Sequence, residues 1–140
     1  MQTRKWNLKK DYSLILEWCN QRNWDLPIPQ ETLPAVGVIV TDKEAICAAG
    51  LFVDKTSKMG FMWGIFSNPK IGKLKLFKAM KLCVQGIEKQ AEKNKIFLIC
   101  TITGENALHK LYGKHMGMQL CENNINTYVM NLKSFSLPIF

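Results

Sequence analysis

The sequence predicts an α+β fold: a mixed, mostly antiparallel sheet with helices on both faces. Three observations predict it. The apolar runs 35–40, 45–53 and 59–66 are joined by short polar turns, the pattern of an antiparallel meander. Two stretches, 12–22 and 72–94, carry apolar residues at helical spacing. A β-branched run at 96–102 follows the second of these directly, and a strand–helix–strand connection of that kind favours parallel pairing.

The first element is a short strand at 4–8. Asp11 has a side chain suited to capping a helix, and Leu14, Ile15, Trp18 and Cys19 set one apolar stripe along 12–22. Pro27, Pro29 and Pro34 exclude a regular helix interior between 23 and 34, so that stretch is a loop. The valine-rich run 35–40 reads as a buried strand. Residues 41–44 and 54–58 are the turns on either side of the next run, and Ser67, Asn68 and Pro69 end the third. Along 72–94, Leu76, Phe77, Met80, Cys83, Val84, Ile87 and Ala91 form an apolar stripe, with Lys75, Lys78, Gln85, Glu88, Lys89 and Glu92 on the wet side. Thr103 is placed to cap a further helix whose inner face carries Ala107, Leu108, Leu111 and Tyr112, with Gly117 just past its end. A last strand falls at 126–132, and the tail 133–140 is apolar.

A length of 140 residues suits one domain spanning 1–140, and 47% apolar content is enough for one core. The net charge of +8 favours anionic partners: nucleic acid, an anionic cofactor or an acidic protein. The five cysteines show no CxxC and no Cys–His pair at metal-ligand spacing. Cys47, Cys83 and Cys100 lie in apolar runs and read as buried free thiols, which implies a reducing, cytoplasmic setting. The N-terminus is polar and basic, and no apolar run is long enough to span a bilayer. The expectation is a chain without metal or membrane association, monomeric or homodimeric.

Three segments carry a resemblance. Met62-Trp63-Gly64-Ile65-Phe66-Ser67-Asn68-Pro69 looks like a strand running into a cofactor loop. A long basic helix follows it. Residues 106–118, from Asn106 through Leu111-Tyr112 to Gly117-Met118, look like a closing helix motif. Together they resemble the GNAT superfamily of N-acetyltransferases over 3–132. The strand end at Trp63 and Ser67-Asn68-Pro69 is also similar to that of short acetyltransferase-like proteins encoded by bacteriophages.

The resemblance implies an acyl-CoA-dependent N-acyltransferase that moves an acetyl group from acetyl-CoA to an amine. The acceptor would be a small amine, a protein lysine or N-terminus, or a modified nucleobase. The pantetheine would lie between the fourth and fifth strands against the backbone of Ile65, Phe66 and Ser67, and Asn106 would hydrogen-bond it. The pyrophosphate would sit at the start of the long helix, where unpaired amides and the helix dipole attract anions. Lys70 and Lys73 would add charge there, Lys75 would assist, and Gly72 would let the backbone come close. The family's loop pattern is Gln or Arg, two residues, Gly, one residue, then Gly or Ala. Here Pro69, Gly72 and Leu74 occupy those positions, so one of the three is kept. Tyr112 would protonate the departing thiolate. Candidates for a general base are Glu17, Asp25, Glu31 and Asp54, while His109 and His115 read as helix-surface residues. Trp24 and Trp63 would line an acceptor pocket or pack in the core, and Trp18 reads as core. The alternative is a catalytically degenerate GNAT-fold protein that binds nucleic acid or a protein partner.

Overall fold

The computed structural model describes residues 1–24, 29–103 and 106–120. The expected strand at 126–132, the tail, Asp25 and Cys121 lie outside the described residues.

The elements in chain order are β1 (Gln2–Lys5), α1 (Leu8–Gln21), a single 3-10 turn (Gln30–Thr32), β2 (Val36–Asp42), β3 (Glu44–Val53), β4 (Met59–Ser67), α2 (Lys73–Lys93), β5 (Leu98–Thr101) and α3 (Asn106–Lys110). A π-helical turn, Leu111–His115, continues α3. The five strands lie in sequence order across one sheet. Neighbours from β1 to β4 are antiparallel, and among the described residues β4–β5 is the one parallel pair.

Each face of the sheet buries its own core, as strand alternation requires. On one face Val38, Val40, Cys47, Ala49, Met62 and Ile65 pack under α2 and the π turn. On the other, Ile39, Ala48 and Phe66 pack under α1 with Ile15, Trp18 and Cys19. α2 lies close on the sheet because Gly86 lacks a side chain: a Cβ there would meet Thr3 Cγ2 at 3.0 Å and Val38 Cγ1 at 3.3 Å.

α1 starts four residues before the position expected from Asp11. Asn7 is the cap, its Oδ1 accepting from the Lys9 amide at 3.1 Å. Asp11 works from inside the helix. It accepts the Asn7 amide at 2.6 Å and holds Arg4 through two oxygens, at 2.9 and 2.7 Å. Arg4 therefore keeps the Asp11 carboxyl below the usual carboxylate range. The pairing ties β1 to α1 and fixes the entry of the chain. Its contribution is present at neutral pH, above the unfolded value, and is lost as pH falls through the depressed one.

Trp6, only 6% exposed, anchors the α1-side core. Its indole lies over Gly37 of β2 and Gly50 of β3, filling the space a Cβ would take at either position. Gly50→Ala is expected to destabilise the chain by about 1–3 kcal/mol, since the added methyl must displace the indole. Urea denaturation of the variant checks this. The substitution Asp11→Asn is expected to flatten the acid limb of the stability–pH curve, measured as melting temperature against pH.

Candidate functional site

β4 and β5 pair over four positions only, from Met59↔Leu98 to Met62↔Thr101. Beyond them β4 runs on through Ser67 without β5. The parting coincides with a bulge. Gly50 of β3 faces Trp63 and Ala49 faces Ile65, so Gly64 is an extra residue in β4, at φ +57°. A left-handed φ of that size favours glycine.

The bulge decides what the open edge presents. The Asn68 amide donates to Ile46 O at 2.9 Å, which sets the alternation at the end of β4. Phe66 then turns its backbone groups toward β3, and Ile65 and Ser67 turn theirs toward the gap. Of the three residues expected to offer backbone there, the geometry leaves two: Phe66 is already committed to its ladder. Ser67 is partly engaged from the gap side by a residue the sequence reading missed. Arg22, which caps the C-terminal end of α1, donates from Nε to Ser67 O at 3.3 Å and from Nη2 to Ser67 Oγ at 2.7 Å.

The loop between β4 and α2 is a tight turn. Ile71 N donates to Asn68 O at 3.3 Å, and the Lys70 amide donates to Asn68 Oδ1 at 3.0 Å. Asn68 is buried and also donates Nδ2 to Ala45 O at 3.3 Å, so the turn is pinned to β3. α2 then opens at Gly72, with no side chain capping its first amides. A Cβ on Gly72 would meet nothing within 4 Å, and its φ of −63° needs no glycine, so the space before the helix is open. Lys70 and Lys73 are exposed beside it. Leu74, at the position where the family pattern has a small residue, is 72% exposed and points away into solvent, leaving the corner unplugged. Lys75 does not join them: its Nζ pairs with Asp42 Oδ2 at 2.8 Å.

Tyr112 sits in the π turn, 6% exposed, within the core under the sheet. Burial pushes its phenol up to about 12, and the Thr101 side chain beside it works in the opposite direction. Thr101 is the last β5 residue paired with β4, and its Oγ1 donates to Met62 O at 3.0 Å. The Tyr112 phenol therefore lies at the vertex where the two strands separate. π turns insert a residue into a helix and often mark functional positions. Met118 N donates to Tyr112 O at 2.9 Å, and Gly117 takes φ +65° as expected of a helix-ending glycine. The Asn106 backbone begins α3; its side chain is outside what the structure describes.

The general-base candidates fare less well. Asp54 caps the β3–β4 turn, accepting Thr56 N and Thr56 Oγ1 at 2.7 Å each; these bonds hold it down to about 2. Glu17 accepts from Gln21 Nε2 at 2.7 Å on the exposed side of α1, and Glu31 is exposed in the 3-10 turn. His109 is exposed, and His115 stacks edge-on against Phe77 at 5.0 Å.

Trp18 is core, 2% exposed. Trp24 and Trp63 instead form a row with Phe66 and Phe52 on the α1 side of β4 and β3. Successive ring centroids are 6.3, 6.1 and 5.9 Å apart. Trp24 and Phe52, at its two ends, are each 40% exposed. Of the cysteines, Cys19, Cys47 and Cys83 are buried, whereas Cys100 is exposed, contrary to expectation. It sits on β5, where Leu98 and the preceding Phe97 are also exposed. Among the described residues no cluster of metal-ligating side chains forms, and no helix is long and apolar enough to cross a membrane.

Solved structures share this architecture across nearly their whole length. A probable acetyltransferase superposes with a TM-score of 0.69 at 12% identity, over 96% of this chain and 100% of that one. The chain has the GNAT fold. A predicted acetyltransferase from Clostridium acetobutylicum, solved with acetyl-CoA, gives a TM-score of 0.60 at 16% identity over 91% and 95% of the two chains. An aminoglycoside 6′-N-acetyltransferase from Acinetobacter haemolyticus gives 0.56 at 15% identity over 95% and 100%. No protein-family model and no curated protein matches the sequence. The similarity to phage-encoded proteins finds no support in these comparisons.

The pH behaviour of Tyr112 follows from its burial. In the unfolded chain its phenol ionises near 10; in the fold it keeps its proton to about 12. The folded state therefore holds a proton the unfolded state has lost, so this residue's contribution is whole below about pH 10 and disappears as pH rises toward 12. Ultraviolet titration of phenolate should show one late-ionising tyrosine, absent in Tyr112→Phe.

Proposed function

We propose that the chain is an acyl-CoA-dependent N-acyltransferase, with acetyl-CoA as acyl donor and an amine as acceptor. The observation that carries the reading is the wedge between β4 and β5, with the Tyr112 phenol at its vertex and the uncapped start of α2 at the far end of β4. A thioester lying in the wedge would find the outward backbone of Ile65, and what Arg22 leaves of Ser67, to pair with its amides. Its diphosphate would meet the first amides of α2 with Lys70 and Lys73 alongside. The loop keeps one small position of the family pattern, and the exposed side chain of Leu74 leaves room for the phosphates.

At the vertex the residues divide the work. The phenol stays protonated at every physiological pH, so Tyr112 can donate a hydrogen bond to sulfur as charge develops there. A thiol ionises near 8.5, well below the Tyr112 phenol, so complete proton transfer from Tyr112 alone is uphill. The net proton comes instead from the attacking amine. That amine approaches from the α1 side, where the row Trp24–Phe66–Trp63–Phe52 offers an apolar and π-electron wall to its carbon skeleton. Asp54 and Glu17 are engaged in local bonds and Glu31 is exposed in the 3-10 turn, so the amine would lose its proton through water.

Two measurements test the reading. Calorimetric titration with acetyl-CoA should give a saturable isotherm, and Lys70→Glu/Lys73→Glu should weaken it about ten-fold or more. An absence of heat and of melting-temperature shift at saturating cofactor would refute the reading. With an acceptor in hand, Tyr112→Phe should lower kcat by about 10²-fold or more with little change in the KM for acetyl-CoA. An unchanged kcat would remove Tyr112 from the chemistry.

A further inference from the structure

The strongest unexplained feature lies at the opposite edge of the sheet. A cleft of about 330 Å³ runs between β1 and the second half of α2. The sheet order puts three strands between it and β5, so it shares nothing with the β4–β5 wedge.

Arg4 and Lys5 line the cleft from the strand; Gln85, Lys89, Gln90 and Lys93 line it from the helix. No carboxylate lines it. Among the described residues the ion pairs are Arg4–Asp11 and Lys75–Asp42, so Lys5, Lys89 and Lys93 have none. Lys89 and Lys93 are one helical turn apart, where like charges repel. Such a cluster is unfavourable in the free chain and becomes favourable around an anion. Arg4 is held in place through two oxygens of Asp11, so the strand side of the cleft is rigid before anything binds.

Gln90 adds a polar amide to the basic lining of the cleft. Its side chain is 8% exposed and faces the cleft. Its backbone carbonyl accepts Asn94 Nδ2 at 2.7 Å, but its amide group has no hydrogen-bond partner among the described residues. Every fully buried side-chain polar atom among the described residues has a partner, so this amide keeps its contact with solvent in the cleft and is available to a ligand there. In the middle of a helix that otherwise buries apolar residues, an amide aimed into a cationic cleft has a donor to offer an anion.

We infer that this cleft is a second anion site, taking a phosphate ester through Lys5, Lys89, Lys93 and the Gln90 amide. Three unpaired cations match a phosphomonoester dianion better than a single carboxylate, and the volume is that of a small ligand. The phosphate could belong to a free mononucleotide or to a nucleic-acid strand. The chemistry at the protein is the same, and the inference does not depend on acyl transfer.

The test is a titration of the whole chain followed by backbone-amide NMR, with AMP as one probe and a short oligothymidylate as the other. Saturable shifts at Gly86, Lys89 and Gln90 are expected, and Lys89→Glu/Lys93→Glu should weaken binding about ten-fold or more. Both lysines are exposed, so the charge-reversed chain should keep its fold, read from its melting temperature. Gln90→Glu is the second variant. It is nearly the same size, puts a carboxylate where the donor was, and should also abolish the shifts. Tighter binding of AMP identifies a free phosphate ester as the source. Tighter binding of the oligonucleotide, falling steeply with salt, identifies a phosphodiester backbone. Shifts confined to Gly72 and Lys73, or affinity unchanged by the charge reversal, would overturn the inference.

Discussion

The extra residue at Gly64 sets the terms for everything on the β4–β5 side of the molecule. Were Gly64 paired in a regular strand, Trp63 and Ile65 would share a face. With the extra residue, Met62 and Ile65 both enter the α2-side core while Trp63 and Phe66 both turn to the α1 side. The insertion lies just past the Met62–Thr101 pair, where β5 ends and β4 runs on alone. One inserted residue thus turns the Ile65 backbone outward past the end of β5 and puts Trp63 and Phe66 on the α1 side.

The positive charge, undivided in the sequence, separates in three dimensions. Lys70 and Lys73 gather at the uncapped start of α2. Lys75 is drawn off by Asp42 at the β2–β3 hairpin. Lys89 and Lys93 face β1 across the sheet from the wedge. A helix of 21 residues is long enough to carry two separate electropositive ends, because at physiological salt the field of each is screened over about 8 Å.

What could be read from the sequence was whatever local pattern decides. α2 runs Lys73–Lys93 with Gly72 and Asn94 as its caps, the limits its apolar periodicity implied. β3 and β4 begin and end within a residue of their apolar runs. The start of α1 was misplaced because Asn7 and Asp11 are both capping residues. The tertiary pairing of Asp11 with Arg4 decides which of them caps. The resemblance pointed to Tyr112, Gly72, Lys70 and Lys73; the fold sets Tyr112 beside Thr101 at the end of the β4–β5 pairing and the two lysines, exposed, at the start of α2. The site's details rest on long-range contacts that leave no local trace. Arg22 reaches Ser67 across 45 residues of chain, and Thr101 reaches Met62 across 39. Phe66 was misassigned at the gap because backbone direction depends on a register that only pairing with β3 defines.

The account turns on whether the outward backbone at Ile65 receives a ligand. Amide hydrogen exchange, resolved to single residues with and without CoA, measures that directly. Exchange at Ile65 should be fast in the free chain and slow markedly when CoA is added, while Phe66, already bonded to β3, stays slow in both. Equal exchange at Ile65 in the two conditions, with CoA demonstrably bound, would contradict the account.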